Sequence, residues 1–502
     1  MNHVLCGLAA NPALPSELVD RLMELADDDI ATALACRSDL SRTQTAKLAA
    51  QFEHAAVQLV YEGKLSAADT DPATQPRAAL ALLEEGSGRP EWAHLLASDP
   101  VAEHREKLAG CPGLPPDVAE RLSTDADVRV VAELALRTTP ARAARLARHP
   151  HAEVRSAVAA NEATPPAVLA RLVTGDGLPP VRQCLVCDRE ATPFVHDPNC
   201  PRTDCRLRPG AACDGSHQST LHELYERALR NPATPAEVLV GFAGHPSLQL
   251  RWALAARPGL PPQVFARLAG DPSCGVRADL AENPAIGEAL MRQLAADADP
   301  EVRRAVAFNP RVPLDVLARL ADVTKIGAVL LPRVAAASRA EVEELAVSPS
   351  PAVRMLVAAR RDLPATIRDA LAADPDAKVL ASLAGHPGLS ESRLRAMADR
   401  HGARVVAKVA TNPDASAALL EHLAQQQPPV RRALREIARH RRATPSALLG
   451  CLADDKARRI AAGRPALPPA VLSDLLDDDF QVVEAAAANP SLPQAVMSQL
   501  VP

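Results

Sequence analysis

Aromatic residues are scarce in this sequence. Only 2% of its 502 residues are Phe, Trp or Tyr, although 47% are hydrophobic, and Ala, Leu and Val supply most of the apolar content. Small side chains of this kind suit thin, closely spaced helices. A conventional globular chain of this length would need several domains, whereas a repeat array grows without a central core. The composition and length are therefore compatible with one continuous array of thin helices.

Long apolar runs and a strong charge imbalance are also lacking. No stretch approaches the roughly 20 apolar residues of a membrane span, and the first residues, MNHVLCGLAANP, lack the basic segment and apolar core of a signal peptide. The net charge of -5 gives no general attraction to nucleic acid or an anionic membrane. We therefore expect a cytoplasmic protein with no membrane partner, in which thiols are free or metal-bound rather than paired in disulfides.

Catalytic signatures are absent as well. The sequence contains no HExxH, no phosphate-binding GxxxxGK[ST] and no GxSxG. His222-Glu223 is a single pair, whereas the di-iron hydroxylases built on HEAT repeats need several such pairs in register. The sequence thus predicts no catalytic residue, no small-molecule substrate and no enzyme activity.

What the sequence does contain is a repeated unit, best seen between Arg257 and Glu282. Leu260-Pro261-Pro262 leads into Val264, Phe265 and Leu268, whose spacing predicts a short helix, helix A, that begins at a proline. Gly270-Asp271-Pro272 ends it, and Val276-Arg277 lies at the start of a second helix, helix B. Neither helix is long enough to be stable alone, so each must pack against neighbouring units.

Two markers recur in the same phase. The Asn-Pro or Arg-Pro junction recurs every 26 residues from Asn231 to Asn309, and a Val-Arg or Leu-Arg pair recurs at the start of helix B. The phrases VRSAVAANEATPPAVLARL (Val154 to Leu172) and VRRAVAFNPRVPLDVLARLA (Val302 to Ala321) make the chain resemble the bacterial leucine-rich repeat variant (LRV) family. The resemblance implies an all-α, right-handed solenoid of short paired helices, for which HEAT-like arrays are the nearest similar class.

The repeat pattern divides the chain into three predicted segments. N-terminal repeats occupy residues 1–183 and are irregular near 63–90, a Cys-rich insert occupies 184–218, and C-terminal repeats occupy 219–502. After the insert, Thr234-Pro235-Ala236-Glu237 predicts a capped helix A. The pattern weakens again around Asp322 to Pro332.

Five of the ten cysteines fall within the insert and predict a metal site. Two close pairs separated by a loop can hold the two edges of a tetrahedral thiolate site, and the loop between them has too few apolar residues for a core of its own. A bound ion would supply the missing stability. Four ligands suffice, and Cys213, furthest from the paired set, is the expected dispensable one. The candidates are Cys184, Cys187, Cys200, Cys205 and Cys213, with His196 and His217 inside or beside the set.

Zinc is the favoured ion, and a 4Fe-4S cluster is the alternative. The paired spacing favours zinc. The resemblance implies a possible cluster because the LRV family includes an architecture with one, and Cys184 and Cys187 are interpreted as lying at helix B positions. That family's cluster domain is N-terminal, however, whereas this insert is internal. The remaining cysteines are predicted to be packing residues: Cys6, Cys36, Cys111, Cys274 and Cys451.

Two groups of arginines complete the sequence evidence. An Asp often precedes the helix B arginine by six residues, as in Asp271 and Arg277, which predicts a ladder of ion pairs and carbonyl hydrogen bonds between repeats. The basic run from Arg431 to Arg442 has no aromatic residue to stack on bases, which favours a solvated helix face over a nucleic-acid site. We therefore expect a non-catalytic scaffold for protein–protein interaction with a metal-stabilised insert and an unidentified protein partner. The alternatives are an iron-sulfur redox or iron-responsive adaptor and a nucleic-acid-binding solenoid using Arg431 to Arg442.

Overall fold

The structure is a computed structural model that describes residues 2–188, 213 and 215–502. Most of these residues lie in short helices, and the described residues form no strand and contain one parallel bridge, between His151 and Gln183. No described helix is both long and apolar enough to cross a membrane. The prediction of an all-helical repeat protein is confirmed.

The α-helices, numbered α1 to α34 in chain order, are Asn2–Ala10, Ser16–Leu25, Asp28–Ala35, Arg42–Gln51, Glu53–Tyr61, Pro76–Glu84, Glu91–Leu96, Ala102–Ala109, Pro116–Leu122, Val128–Leu136, Pro140–Leu146, Ala152–Ala160, Pro166–Thr174, Gln218–Arg230, Leu248–Ala255, Pro262–Ala269, Cys274–Glu282, Glu288–Leu294, Pro300–Phe308, Leu314–Val323, Pro332–Ala335, Arg339–Ala346, Pro351–Ala358, Ala365–Leu371, Ala377–Leu383, Glu391–His401, Val406–Val409, Ala417–Ala424, Arg431–Arg439, Pro445–Cys451, Asp455–Ala462, Pro469–Asp474, Phe480–Ala487 and Gln494–Leu500. Within the described residues, four 3-10 helices lie at Ala236–Val238, Val240–Gly244, Gly402–Arg404 and Leu475–Asp477.

The chain packs as two compact units. One unit combines residues 1–65 with 326–502, and the other comprises residues 66–325. Both divisions fall in the two stretches, near 63–90 and 322–332, where the repeat pattern of the sequence weakens. Loss of the repeat signal in those stretches therefore coincides with a change of compact unit.

The predicted helix pair is present in the unit that begins at Arg257. Helix α16 begins with Pro262 at its first position, where a missing N–H costs nothing, and buries Val264, Phe265 and Leu268. Helix α17 follows after Gly270 and buries Leu280 among other apolar residues. The apolar faces of both helices pack against helices of adjoining repeats in the same compact unit. This packing is needed because neither short helix would be stable alone.

A ladder of buried side chains sets the repeat spacing. Asn283 Nδ2 donates to Ala255 O at 2.8 Å and to Arg257 O at 2.9 Å, and the second acceptor lies 26 residues earlier. Asn309 repeats the arrangement on Ala281 and Asn283. Arg257 fills the equivalent position with its guanidinium group. Each junction residue thereby satisfies carbonyl groups of the preceding repeat that would otherwise be buried without a partner.

The predicted arginine ladder is confirmed and joins adjacent repeats. Arg277 donates through Nη1 to Asp271 O at 2.7 Å, and its Nε lies 2.8 Å from Asp297 Oδ2 in the next repeat. This hydrogen bond is the main reason why the pKa of Asp297 lies below its usual value, and burial only partly opposes it. The same contact between repeats joins Arg105–Asp125, Arg251–Asp271, Arg277–Asp297, Arg354–Asp374, Arg435–Asp454 and Arg458–Asp478.

The ladder of buried junction residues also joins the first repeat to the last repeat, and both repeats belong to the first compact unit. Asn11 Nδ2 donates to Ala487 O at 2.8 Å and to Asn489 O at 2.7 Å. Helix α1 packs on helix α33, and Gly7 permits that approach, because a Cβ there would lie 2.4 Å from Glu484 O. The first repeat thus sits on the last as each internal repeat sits on the one before it.

Two local predictions were wrong. The segment after Thr234-Pro235 forms 3-10 helices at Ala236–Val238 and Val240–Gly244 rather than a capped α-helix. Of the single cysteines, Cys111 and Cys451 are buried as predicted, whereas Cys36 and Cys274 are exposed. Burial raises the pKa of the Cys111 thiol to about 11 and that of Cys451 to about 12, as expected for thiols that serve only in packing.

Replacing Asn283 by Ala is expected to lower the stability of the second unit. Two buried carbonyl groups and the N–H of Ala285 would each lose a hydrogen bond to that side chain. The cost is expected to be about 1–3 kcal/mol, measured by urea unfolding. Glu162→Ala is the matched control, because Glu162 is exposed and follows the equivalent Asn161. Equal unfolding curves for the two variants would contradict a role of this ladder in stability.

Candidate metal centre

The candidate site is built against the start of helix α12. Helix α13 ends at Thr174 with Gly175 in the left-handed conformation, and the chain turns back toward α12. There Arg182 N donates to Pro150 O at 2.9 Å, and Ala152 N donates to Gln183 O at 3.0 Å. These two bonds fix the backbone immediately before the first cysteine of the cluster.

Side chains of α12 hold the next residues in place. Glu153 Oε1 accepts a hydrogen bond from Leu185 N at 2.9 Å. The buried ring of His151 lies between two carboxylates, with Nδ1 2.6 Å from Glu153 Oε2 and Nε2 2.7 Å from Asp188 Oδ2. Burial opposes the charge on His151, but the two carboxylates outweigh it and raise the pKa of the ring. The turn that carries Cys184 and Cys187 is therefore attached at both of its ends.

The other half of the site precedes helix α14. Gly215 has φ 91°, which glycine adopts without strain, and it directs the chain from Cys213 toward His217. His217 itself has φ 60°, an uncommon conformation for a residue with a side chain. Such conformations persist where their surroundings fix them, and they concentrate at ligand-binding sites.

Three thiols and one imidazole converge between these halves. The ligand atoms of Cys184, Cys187, Cys213 and His217 all lie within 4.8 Å of one another. His217 Nδ1 is 3.7 Å from both Cys187 Sγ and Cys213 Sγ. A tetrahedral zinc site with bonds of about 2.0–2.3 Å has edges of roughly 3.5–3.8 Å, so these atoms are close to the spacing that zinc requires.

Burial acts against ionisation of all three thiols, and hydrogen bonds outweigh it only at Cys213. Burial, followed by hydrogen bonding and repulsion from the neighbouring thiols, raises the pKa of Cys187 to about 12, and burial also raises the pKa of Cys184. Burial acts in the same direction on Cys213, but the N–H of Gly215 and the Cys187 thiol donate to it and lower its pKa. A divalent ion would replace the thiol protons and offset the repulsion among three thiolates.

Backbone amides already point at two of the sulfur atoms. Cys187 N donates to Cys184 Sγ at 3.4 Å, and Gly215 N donates to Cys213 Sγ at 3.4 Å. Hydrogen bonds of this kind orient metal ligands and support their negative charge. Cys184, Val186 and Cys213 also pack with Ala152 in a small buried cluster. The donor atoms are thus held by packing as well as by the turns.

The structure brings together three of the five predicted cysteines. Cys184, Cys187 and Cys213 lie in one group, so the cysteine expected to be dispensable is among them. Cys200 and Cys205, as well as His196, lie outside the described residues. The fourth donor is His217, which was noted in the sequence but not selected as a ligand. His217 follows Cys213 with the spacing Cys-x3-His, which falls in the range of ligand spacings found in zinc sites. This spacing was the feature of the sequence that could have identified His217 as a candidate ligand.

One interpretation of the insert was wrong. Cys184 and Cys187 do not lie on helix B, because residues 185–188 form a turn. Helix α14, Gln218–Arg230, takes that place and packs on α12. Asn231 continues the ladder across the insert by donating to Ala159 O and Asn161 O, 72 and 70 residues earlier. The candidate metal site therefore lies between a helix A and its own helix B.

Comparisons with known proteins yield solved structures only. No protein-family model matches the chain, and no curated protein matches it. It is similar to a solved leucine-rich repeat variant with a novel repetitive structural motif, at 20% identity and a TM-score of 0.30, over 54% of this chain and 87% of the other. It is also similar to a chain in a structure of the Pds5–Scc1 complex, at 12% identity and a TM-score of 0.16, over 96% of this chain and 68% of the other. The first of these is the kind of protein that the sequence resembles.

Proposed function

We propose that this protein is a non-catalytic helical-repeat scaffold that binds another protein, and that Cys184, Cys187, Cys213 and His217 hold one structural zinc ion. The convergence of four donor atoms within 4.8 Å of one another is the observation that supports the metal proposal most strongly. The repeat helices support the scaffold proposal, since repeats of this type present extended surfaces to partners.

Zinc is favoured over a cluster by the donor set. Three thiolates and one imidazole form a common structural zinc set, whereas a 4Fe-4S cluster usually takes four thiolates. The two halves of the site belong to opposite ends of the insert, so an ion would tie those ends together. Its chemical contribution is structural: it joins the turn at Cys184 to the start of helix α14.

The basic run gives less support to a nucleic-acid function. Within helix α29, Arg435 Nε lies 2.9 Å from Asp454 Oδ2, and Arg439 Nη1 lies 3.3 Å from Glu436 Oε1. Both contacts reduce the positive charge that the helix offers to phosphates. We therefore retain protein as the partner class.

The scaffold proposal is tested by capture from a native lysate followed by reconstitution. A captured protein should bind the purified full-length chain directly in isothermal titration calorimetry, with no chemical change in either component by mass spectrometry. Failure of every captured candidate to bind when purified would contradict the scaffold proposal. Turnover of a captured molecule by the purified chain would replace it with an enzymatic one.

A further inference from the structure

A cavity of about 360 Å³ opens on the second compact unit, beside the metal centre. Its walls come from helices α8, α10, α12 and α14 and from the turn between Cys184 and Cys187. All of these elements belong to residues 66–325. The cavity is therefore formed within one unit.

Some charged groups in the cavity wall form ion pairs, and others do not. Arg129 lies 2.8 Å from Asp127, and Arg227 lies 2.5 Å from Glu223, so each arginine has a direct carboxylate partner; Glu106 also acts electrostatically on Arg129. Glu106 and Glu133 are half-buried and form no ion pair with any part of the chain that the structure describes. Two carboxylates on neighbouring helices thus line the cavity without a direct ion pair to any described residue.

A buried hydroxyl is a second polar feature of the cavity wall. Ser156 lines the cavity and is only 3% exposed. Its Oγ has no hydrogen-bond partner among the described residues. A buried hydroxyl without a partner loses free energy, so groups of this kind are usually satisfied by a ligand or by water.

Apolar residues form the rest of the wall. Ala132, Leu136, Leu185 and Val186 line it, and Val186 is almost fully buried. A long basic side chain has matching chemistry, since it buries an aliphatic stem and presents its charge at the tip. A plain inorganic cation would leave the apolar wall without a contact, and an anion would meet the two unpaired carboxylates.

We infer that this cavity binds a lysine or arginine side chain presented by the partner protein, with Glu106 and Glu133 contacting its charged end. The inference rests on the proposed scaffold function and adds the chemical class that one part of the scaffold recognises. Ser156 supplies a further hydrogen bond. The apolar wall contacts the stem of the ligand.

The test uses the full-length chain and short blocked peptides. Acetyl-Gly-Arg-Gly-amide and acetyl-Gly-Lys-Gly-amide are titrated by isothermal calorimetry, with the citrulline peptide as an uncharged analogue of the arginine peptide. At least one basic peptide should bind, and citrulline should bind about tenfold more weakly or worse, because charge-assisted hydrogen bonds to carboxylates are the strong ones. The arginine and lysine titrations distinguish the two sources of positive charge.

Variants then locate the binding. Glu106→Gln with Glu133→Gln should weaken the basic peptide about tenfold or more, while Glu162→Gln, an exposed glutamate outside the cavity, should leave it unchanged. Ser156→Ala is a milder variant and should weaken it less. Absence of binding at millimolar peptide, equal binding of citrulline, or equal binding by the double variant would overturn the inference. None of these results would affect direct binding of a captured partner, which tests the scaffold function separately.

Discussion

Replacing Cys213 by Ser is expected to remove the metal from the protein. Cys213 is buried, and its sulfur atom lies 3.7 Å from His217 Nδ1 at the centre of the donor group. A hydroxyl is a poor substitute for a thiolate, and structural zinc contributes about 10–16 kcal/mol of apparent binding free energy in small domains. The zinc content of Cys213→Ser, measured by elemental analysis after dialysis against a mild chelator, should be near zero, compared with about one zinc per chain in the unchanged protein. His217→Ala should have the same effect.

Three other replacements serve as controls for this result. Cys274→Ser changes an exposed cysteine outside the cluster and should retain the metal. Cys200→Ser and Cys205→Ser should retain it as well if Cys213 and His217 complete the site. Loss of zinc from either of those variants, with retention in Cys213→Ser, would contradict the proposed ligand set and favour the four-cysteine set expected from the sequence.

Replacing Gly7 by Ala is expected to separate helix α1 from helix α33. The added Cβ would lie 2.4 Å from Glu484 O and 2.7 Å from Ala487 Cβ, and the first of these is a backbone atom that cannot rotate away. Overpacking of this kind costs about 1–3 kcal/mol. The amides of Asn2–Ala10 should then exchange with deuterium roughly 5- to 150-fold faster, the factor that corresponds to that energy.

A matched glycine controls for the added methyl group. Gly241 is exposed, has no atom within 4 Å of a Cβ position and is not in the left-handed region, so Gly241→Ala should leave exchange unchanged. Asn11→Ala should act in the same direction as Gly7→Ala, because it removes the hydrogen bonds to Ala487 O and Asn489 O. Unchanged exchange of α1 in both variants would show that the first repeat does not rest on the last.

The repeat architecture could be predicted because each unit carries its own signals. The proline before α16, the buried Val264 and Leu268, and the junction residue at Asn283 all act within about one period. Even the arginine ladder was visible, because Arg277 stands at a fixed distance from Asp271. Contacts that repeat at constant spacing leave a periodic pattern in the sequence.

Contacts that occur once leave no such pattern. His217 was not selected from the sequence because its closeness to Cys187, 30 residues earlier, depends on a turn at Gly215. The placement of Cys184 on a helix was wrong because the insert displaces helix B to Gln218–Arg230, which only packing against α12 reveals. The contact of Asn11 with Ala487 likewise joins residues 476 apart and has no local signal.

X-ray absorption at the metal edge of anaerobically purified full-length protein tests the central claim most directly. The proposed site predicts zinc with three sulfur neighbours at about 2.3 Å and one nitrogen neighbour at about 2.0–2.1 Å. In His217→Ala the nitrogen contribution should disappear together with most of the zinc. A shell of four sulfur atoms, iron neighbours at short distance, or protein that contains no metal would contradict a zinc site formed by Cys184, Cys187, Cys213 and His217.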